Sequence, residues 1–298
     1  MDPDWDDLKV FLAVARGESL SEAGRLLKRD PATVGRRITR LEQAMGVALF
    51  LRSQMGYGLT EAGARLMDHA EAMEQAMARG AEALRGKAGQ LSGQIRIGAP
   101  DGCANYLLPQ VCAAIQRAHP ELELQVVALP RVVNLSRREA DFAVTVSPPV
   151  TGRLTVQKIA DYHLHLAAHR DYLARAPALE RIGDIAQHPL VGYIPDMIFD
   201  KELDYLSETG AERMALASNA VSVQLGFLRE GVGLGITHDF ALPFVPELVK
   251  VLPDQFGLTR SYFLIRHADD RRSERLSRVG DLLLSGLRAE LVRLEALT

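Results

Sequence analysis

Three guanidinium groups fall within five consecutive residues of this sequence, on Arg36, Arg37 and Arg40. A guanidinium can make two parallel hydrogen bonds to a phosphate or to the major-groove edge of guanine, so a cluster of them suits nucleic acid. The cluster is local. Between Arg25 and Arg52 stand Arg25, Lys28, Arg29, Arg36, Arg37, Arg40 and Arg52 against only Asp30 and Glu42, a surplus of +5, whereas all 298 residues together carry −3. On charge alone that surplus also describes the solvated face of an ordinary helical bundle, so the elements that hold it must decide.

Those elements read as short helices. Trp5, Leu8, Phe11, Leu12 and Ala15 recur on one helical face over about residues 5–16, and Gly17 ends the run. Ser19 to Glu22 has capping-box spacing, with the serine oxygen taking an orphan amide and the glutamate reaching back. A second helix then runs to about Leu27, Lys28 and Arg29 turn the chain, and Asp30 caps a third helix. Pro31 takes its first position, where a missing N–H costs nothing. Val34, Ile38, Leu41 and Met45 make the buried stripe of that third helix, which leaves the three arginines off it. Two helices joined by so tight a turn, the second with a basic face, form a helix-turn-helix that lays its second helix in the major groove.

The motifs resemble those of the LysR-type transcriptional regulators. They are Phe11-Leu12-Ala13-Val14-Ala15, Ser19 through Leu27, Val34-Gly35-Arg36-Arg37-Ile38 with Leu41-Glu42, Gly46-Val47-Ala48-Leu49-Phe50 and Leu59-Thr60-Glu61-Ala62-Gly63, in order over about the first 65 residues. The resemblance implies a winged helix-turn-helix, with Leu49 to Leu59 as a two-stranded wing tipped by Met55-Gly56-Tyr57-Gly58, and Tyr57 as a half-exposed turn aromatic. It puts base contacts at Pro31, Ala32, Gly35 and Arg36. Family members often carry a Ser-Gln-Pro-Ala-Leu-Ser type run where this chain reads Asp30-Pro31-Ala32-Thr33-Val34-Gly35. Pro31, Ala32 and Gly35 have no side-chain donor, so Arg36 is the residue expected to read a guanine, at about 1–3 kcal/mol of discrimination. Ala32 can pack on a thymine methyl, and Thr33 belongs to the same contact set. Arg37, Arg40 and Ser21 are expected on phosphates, which fix position without reading sequence, and Arg52 as the anchor of the wing.

From Thr60 an Ala/Met/Glu-rich segment without proline reads as a helix of about 27 residues, which three glycines near Gly86 to Gly93 end. Ala62, Leu66, His69, Met73, Ala76 and Gly80 step by fours and threes like a heptad seam, and Leu66, Ala70, Met73, Met77, Gly80 and Leu84 widen it. This is read as a homodimer seam, the family's usual arrangement, with packing on the chain's own carboxy-terminal part as the alternative. Two paired recognition helices would read a pseudo-palindrome with half-sites about one helical turn apart.

Beyond Gln94 short β-rich runs alternate with helical patterns, which argues for α/β units around mostly parallel sheet. The runs are Ile95 to Gly98, Leu122 to Val127, Phe142 to Val146, His163 to Ala167, Leu234 to Thr237 and Tyr262 to Ile265. This part also resembles the family's effector-binding region, itself similar to periplasmic solute-binding proteins: two α/β lobes joined by crossing strands, with a ligand between them. A helix from about Arg272 to Leu297 is expected to pack back on the first lobe. Ligands in such folds bind beyond the carboxyl ends of strands and near helix amino termini. That selects Asp101 and Cys103, Ser147, Tyr193, Asn219 and His238 as effector contacts. Asp101 also reads as a simple helix cap and His238 as a hydrogen-bonded structural histidine. A carboxylate at position 101 would repel an acidic effector, where family members often place Ser or Thr.

Enzymatic motifs are missing from the sequence. It has no Gly-x-Ser-x-Gly elbow, no phosphate-cradling Gly-x-x-x-x-Gly-Lys loop and no His-Glu-x-x-His pair, and Gly231 to Gly235 precedes a strand rather than following one. Cys103 and Cys112 are too few for a disulfide framework. On one helix they would stand about 13.5 Å apart along its axis, beyond bridging reach. No membrane span is legible, and Met1 to Arg16 carries acids where a secretion signal needs lysines. The reading is therefore an α/β regulator with a winged helix-turn-helix over 1–59, a linker and dimerisation helix over 60–89 and a two-lobed effector domain over 90–298. It is expected to be cytoplasmic and non-enzymatic, without a cofactor. Its expected partners are promoter DNA, a small-molecule effector, further copies of itself as dimer or tetramer, and RNA polymerase. A solute-binding or enzymatic α/β domain with an accessory helical domain, or a cysteine-based redox regulator, is the alternative.

Overall fold

The computed structural model describes residues 4–53, 56–85, 91–128, 140–149, 153–205, 214–268, 270 and 273–298. They form two compact units, 1–89 and 90–298.

In the N-terminal unit, α1 (Trp5–Gly17) starts at Asp4, whose carboxylate accepts from the Asp6 N–H, and stops at Glu18 in the left-handed region. Ser19 caps α2 (Leu20–Leu27) by accepting from the Glu22 N–H. Only that half of the expected capping box is seen, because the Glu22 carboxylate turns to Arg25, whose Nε lies 3.1 Å away. Lys28 takes a positive φ of 52° to turn the chain. Gly24 permits that turn, since a Cβ there would stand 2.7 Å from the Arg29 carbonyl oxygen. Asp30 then caps α3 (Pro31–Met45) through the Ala32 N–H, with Pro31 at the expected first position. Val34, Ile38 and Leu41 are buried against Phe11, Leu12 and Val14 of α1, and Met45 packs at the edge. Burial of such side chains contributes roughly 1.5–3 kcal/mol each, and this core holds α3 in place.

β1 (Phe50–Ser53) and β2 (Gly56–Leu59) form the wing, in register from Phe50 opposite Leu59 to Ser53 opposite Gly56. The expected tip at Met55 lies outside the described residues. Gly56, Tyr57 and Gly58 belong to a strand instead. Tyr57 pairs with Arg52, sets its ring 5.7 Å from that of Phe50 and donates its N–H to the Glu18 carbonyl. Pairing carried as far as Ser53 opposite Gly56 leaves no room for a four-residue loop over 55–58.

Thr60 caps α4 (Glu61–Arg85) through the Gly63 N–H and gives its own hydroxyl to the Ala48 carbonyl. The expected heptad row divides here. Ala62 and Leu66, with buried Ala70 of the parallel row, pack into the unit's own core, while His69, Met73 and Met77 are exposed. The side chains of Ala76, Gly80 and Leu84 lie outside the described residues.

The C-terminal unit is built on one curled sheet. β3 (Gly93–Ala99) runs parallel to β4 (Leu122–Ala128) and to β5 (Phe142–Thr145), with α5 (Asp101–Tyr106) and α6 (Leu108–Ala118) between β3 and β4. That is the first lobe. The second holds α7 (Arg170–Leu173), β7 (Leu190–Gly192), β8 (Leu216–Ala217), α8 (Val221–Arg229), β9 (Leu234–His238) and β10 (Leu248–Lys250), with β7 parallel to β8 and β9. Two long strands, β6 (Leu154–His169) and β11 (Leu258–His267), cross between the lobes as an antiparallel pair with a bulge at Tyr262/Phe263. The sheet is thus mixed, not mostly parallel: the crossing pair must run antiparallel to serve both lobes. α9 (Glu274–Glu295) buries Leu276, Val279, Leu283, Leu287 and Leu291 and packs on α6 and β6, as expected of the last helix.

Candidate nucleic-acid interface and ligand cleft

The structure treats the arginines of α3 differently from one another. Arg40 is half-exposed, yet Nε and Nη2 both donate to the Asp7 carboxylate at 2.6 Å. Arg37 Nη1 donates to the same carboxylate at 3.3 Å, and Asp7 is 1% exposed. Two of the expected phosphate contacts are therefore partners of a buried acid contributed by α1. Arg36 is exposed, and its Nη2 donates to Thr33 Oγ1 at 2.9 Å, which steadies the guanidinium along the first turns of α3. Ser21 and Ala32 are exposed near the starts of α2 and α3.

Arg52 on the wing donates to Glu42 Oε2 at 3.0 Å and lies over the Tyr57 ring. Glu42 also accepts from the Leu49 and Phe50 N–H groups, so one α3 carboxylate fixes the root of the wing. Gly35, Arg36, Thr39, Arg40, Arg52 and Tyr57 line a shallow groove of about 460 Å³ between α3 and the wing. The groove brings together three of the expected DNA contacts, Arg36, Arg40 and Arg52, while Ser21, Ala32, Thr33 and Arg37 lie off its lining. Lys28 and Arg29, in the turn, are exposed and without a carboxylate partner among the described residues. Sequence reasoning assigned them only to the turn, and it missed Asp7 because that residue contacts α3 only through the tertiary fold.

In the C-terminal unit the candidate residues converge where the lobes meet. Asp101, half-buried at the start of α5, accepts the Ser222 backbone N–H at 2.8 Å, so it caps α8 of the other lobe rather than its own helix. The Ser147 hydroxyl, after β5, donates across the junction to Asp200 Oδ2. Tyr193 lines a cavity of about 570 Å³ in the second lobe with Ile198, Phe199, Asp200, Tyr205 and Ile236. Its phenol is pushed up chiefly by burial. Asn219 is half-buried in the loop leading into α8.

His238 is 3% exposed, stacked against Tyr162 with ring centroids 5.4 Å apart. Its Nδ1 has no hydrogen-bond partner among the described residues. Burial lowers its pKa to about 4, with a smaller opposing effect from Asp239, so it is a neutral imidazole at pH 7. Around it stand Tyr162, Tyr205, Phe240 and Tyr262, an aromatic group that no local motif announces.

Cys103 does not reach the cleft: it is fully buried in the core. Cys112 sits on α6, which a break at Leu107 separates from α5, so the two thiols do not share one helix as supposed. Both are free. Burial pushes the Cys103 thiol up and the Cys112 thiol up to about 11, which leaves little thiolate to react with an oxidant. Among the described residues no helix is long and apolar enough to cross a membrane.

Comparison with known proteins finds two family matches. Residues 5–64 match the bacterial regulatory helix-turn-helix protein, lysR family, and residues 88–288 match the LysR substrate binding domain. Similar proteins include the HTH-type transcriptional regulator BbuR of Bordetella bronchiseptica, 28% identical over 96% of this chain and 90% of its own length. The HTH-type transcriptional activator TtdR of Escherichia coli is 25% identical over 83% of this chain and 82% of its own. Among solved structures, the full-length Vibrio cholerae virulence activator AphB, at 23% identity, covers 95% of this chain and 99% of that one with a TM-score of 0.58. ArgP from Mycobacterium tuberculosis, at 19% identity, covers 96% and 97% with a TM-score of 0.72. These last two likenesses show a shared fold.

Proposed function

The chain belongs to the LysR family of bacterial regulators, as a DNA-binding transcriptional regulator with an effector-binding domain, and from that premise we propose how its residues divide the work. α3 enters the major groove, and Arg36 reads a guanine edge. One observation carries this assignment: of the three α3 arginines, Arg36 alone is exposed and free of a carboxylate, while Arg37 and Arg40 are held by Asp7. Ala32 faces a thymine methyl, with Thr33 beside it. Ser21, Lys28, Arg29 and Arg52 meet phosphates on either flank, and Arg40 offers them only its Nη1, since Nε and Nη2 are occupied.

The working unit is a homodimer, or a dimer of dimers, paired along α4 through its exposed row at His69, Met73 and Met77. We take 1–59 as the DNA-binding domain, 60–89 as the linker helix and 90–298 as the effector domain, with Asp101, Ser147, Tyr193, Asn219 and His238 around the ligand. The protein acts in the cytoplasm without catalysing a reaction, and ligand binding alters its contact with DNA or RNA polymerase.

The test is a fluorescence-anisotropy titration on the DNA upstream of its own gene. Arg36→Ala should weaken specific binding about 5- to 150-fold, from a contact of about 1–3 kcal/mol, while leaving binding to unrelated DNA nearly unchanged. Equal weakening on both DNAs would make Arg36 a phosphate contact. No binding by the wild-type protein would remove the regulator reading.

A further inference from the structure

The two lobes meet at a carboxylate. The Ser222 backbone N–H donates to Asp101 Oδ2 at 2.8 Å, the Ser222 hydroxyl to Oδ1 at 3.3 Å, and Asn105 Nδ2 to Oδ1 at 2.9 Å. The first turn of a helix presents amides without intrahelical partners and the positive end of the dipole, and so favours an anion. α8 has nine residues, and Ala220 in its cap position supplies no side-chain acceptor. The acceptor comes instead from Asp101, 121 residues away on the opposite lobe.

Among the described residues, little else around this junction can hold an anion. A methyl group on Gly102 would lie 3.5 Å from His238 Cε1 and 3.6 Å from Val221, so the imidazole stands directly beside the α5–α8 contact. That imidazole is neutral at pH 7, because burial depresses its pKa. Asp200 places a second carboxylate across the junction, on Ser147. Of the nearby cations among the described residues, Arg260 pairs with Glu202 at 3.0 Å and Lys250 with Asp239 at 2.7 Å, which leaves Lys201 on the lining of the second-lobe cavity.

Building on the effector-binding reading, we propose that Asp101 is the resident anion of this cleft and its specificity determinant: it fills the seat that a carboxylate ligand would take, so the cleft accepts ligands without an acid group. A dissolved carboxylate must displace one that the chain itself tethers at high effective concentration. It must also approach Asp101 and Asp200 in a medium that screens charge less than water does.

Chemical rescue on the full chain, without DNA, tests this. Asp101→Ala empties the seat. Acetate, which has the shape of the missing side chain, is titrated against sodium chloride at matched ionic strength while the C-terminal melting transition is followed. The variant should melt below wild type, and acetate should raise its midpoint saturably by roughly 2–4 °C. Wild type and Asp101→Asn, whose side chain still fills the seat, should show no such rise. Saturable stabilisation of wild type by acetate, or none of Asp101→Ala, overturns the proposal. If the alanine variant does not fold, Asp101→Ser takes its place under the same two criteria. Because no DNA is present, this result stands apart from the Arg36 titration, and either can fail alone.

Discussion

Both units set a carboxylate on the group a partner would want, in opposite settings. Asp7 is 1% exposed and receives Arg37 and Arg40 within a single small core. Asp101 is half-buried, and its partner Ser222 stands on the other lobe. Separating the first pair uncovers a buried charge, whereas the second can part whenever the lobes do. The same chemistry is therefore structural where the partners share a core and selective where a cleft runs between them. The contrast also revises the apparent charge of the DNA-binding face. With Asp7 on Arg37 and Arg40, Glu42 on Arg52 and Glu22 on Arg25, the exposed cations left without a carboxylate among the described residues near the turn and α3 are Lys28, Arg29 and Arg36.

The largest difference between the two regions should be their response to acid. His238 is neutral in the fold, with its pKa lowered from 6.5 to about 4 by burial. Between those values the unfolded chain binds a proton that the folded chain does not, so stability is full above about pH 6.5 and falls as pH is lowered towards about 4. The C-terminal unit should lose on the order of 3 kcal/mol through this residue. The N-terminal unit buries no such imidazole, its one histidine, His69, being exposed. Denaturant unfolding at pH 7 and pH 4 of wild type and His238→Gln measures it. Equal losses in the two proteins would assign the acid sensitivity elsewhere.

Asp7→Ala should cost the N-terminal unit about 1–3 kcal/mol, since it deletes three charge-assisted hydrogen bonds that a buried carboxylate accepts from part-exposed arginines. It should also change DNA binding in a way that no mere loss of stability would. Arg37, once released, can neutralise a phosphate in addition to the one that Arg40 meets through Nη1, so the slope of log affinity against log salt should steepen by about 0.9 per subunit. A slope unchanged from wild type would mean that Arg37 already touches phosphate despite Asp7.

The contrast also explains what the sequence made legible. Helices α1 to α3, their caps at Ser19 and Asp30 and the core stripe of Val34, Ile38 and Leu41 all arise from neighbours in sequence, so spacing alone reveals them. The order of strands and helices in the C-terminal unit was equally readable. The crossing strand β6 was seen only as His163 to Ala167, because Gln157, Lys158 and Asp161 are exposed and interrupt the apolar alternation of a strand 16 residues long. Asp101 stands out in the sequence and Asp7 does not, and the partners of neither are legible, since those contacts span 121 and 33 residues. One signal was available: a helix opening at Ala220-Val221 has no local cap, and its amides must find an acceptor elsewhere.

The smallest effect separates structure from recognition within the wing itself. Glu42, with a side chain 14% exposed, accepts from the Leu49 N–H at 2.9 Å, the Phe50 N–H at 3.3 Å and Arg52 at 3.0 Å. Glu42→Ala orphans two backbone donors at the root of the wing and should cost about 1–2 kcal/mol. Arg52→Ala removes only an exposed partner of that carboxylate and should cost less than about 1 kcal/mol. If Arg52 anchors the wing on phosphate, the order reverses for DNA: Arg52→Ala should flatten the salt slope by about 0.9 per subunit, whereas Glu42→Ala, which removes no cation, should leave it in place. Parallel melting and salt-titration series on the two variants would show the crossing. Finding Arg52→Ala neutral in both series would reduce that arginine to a lid over Tyr57 and leave recognition to α3 and the turn before it.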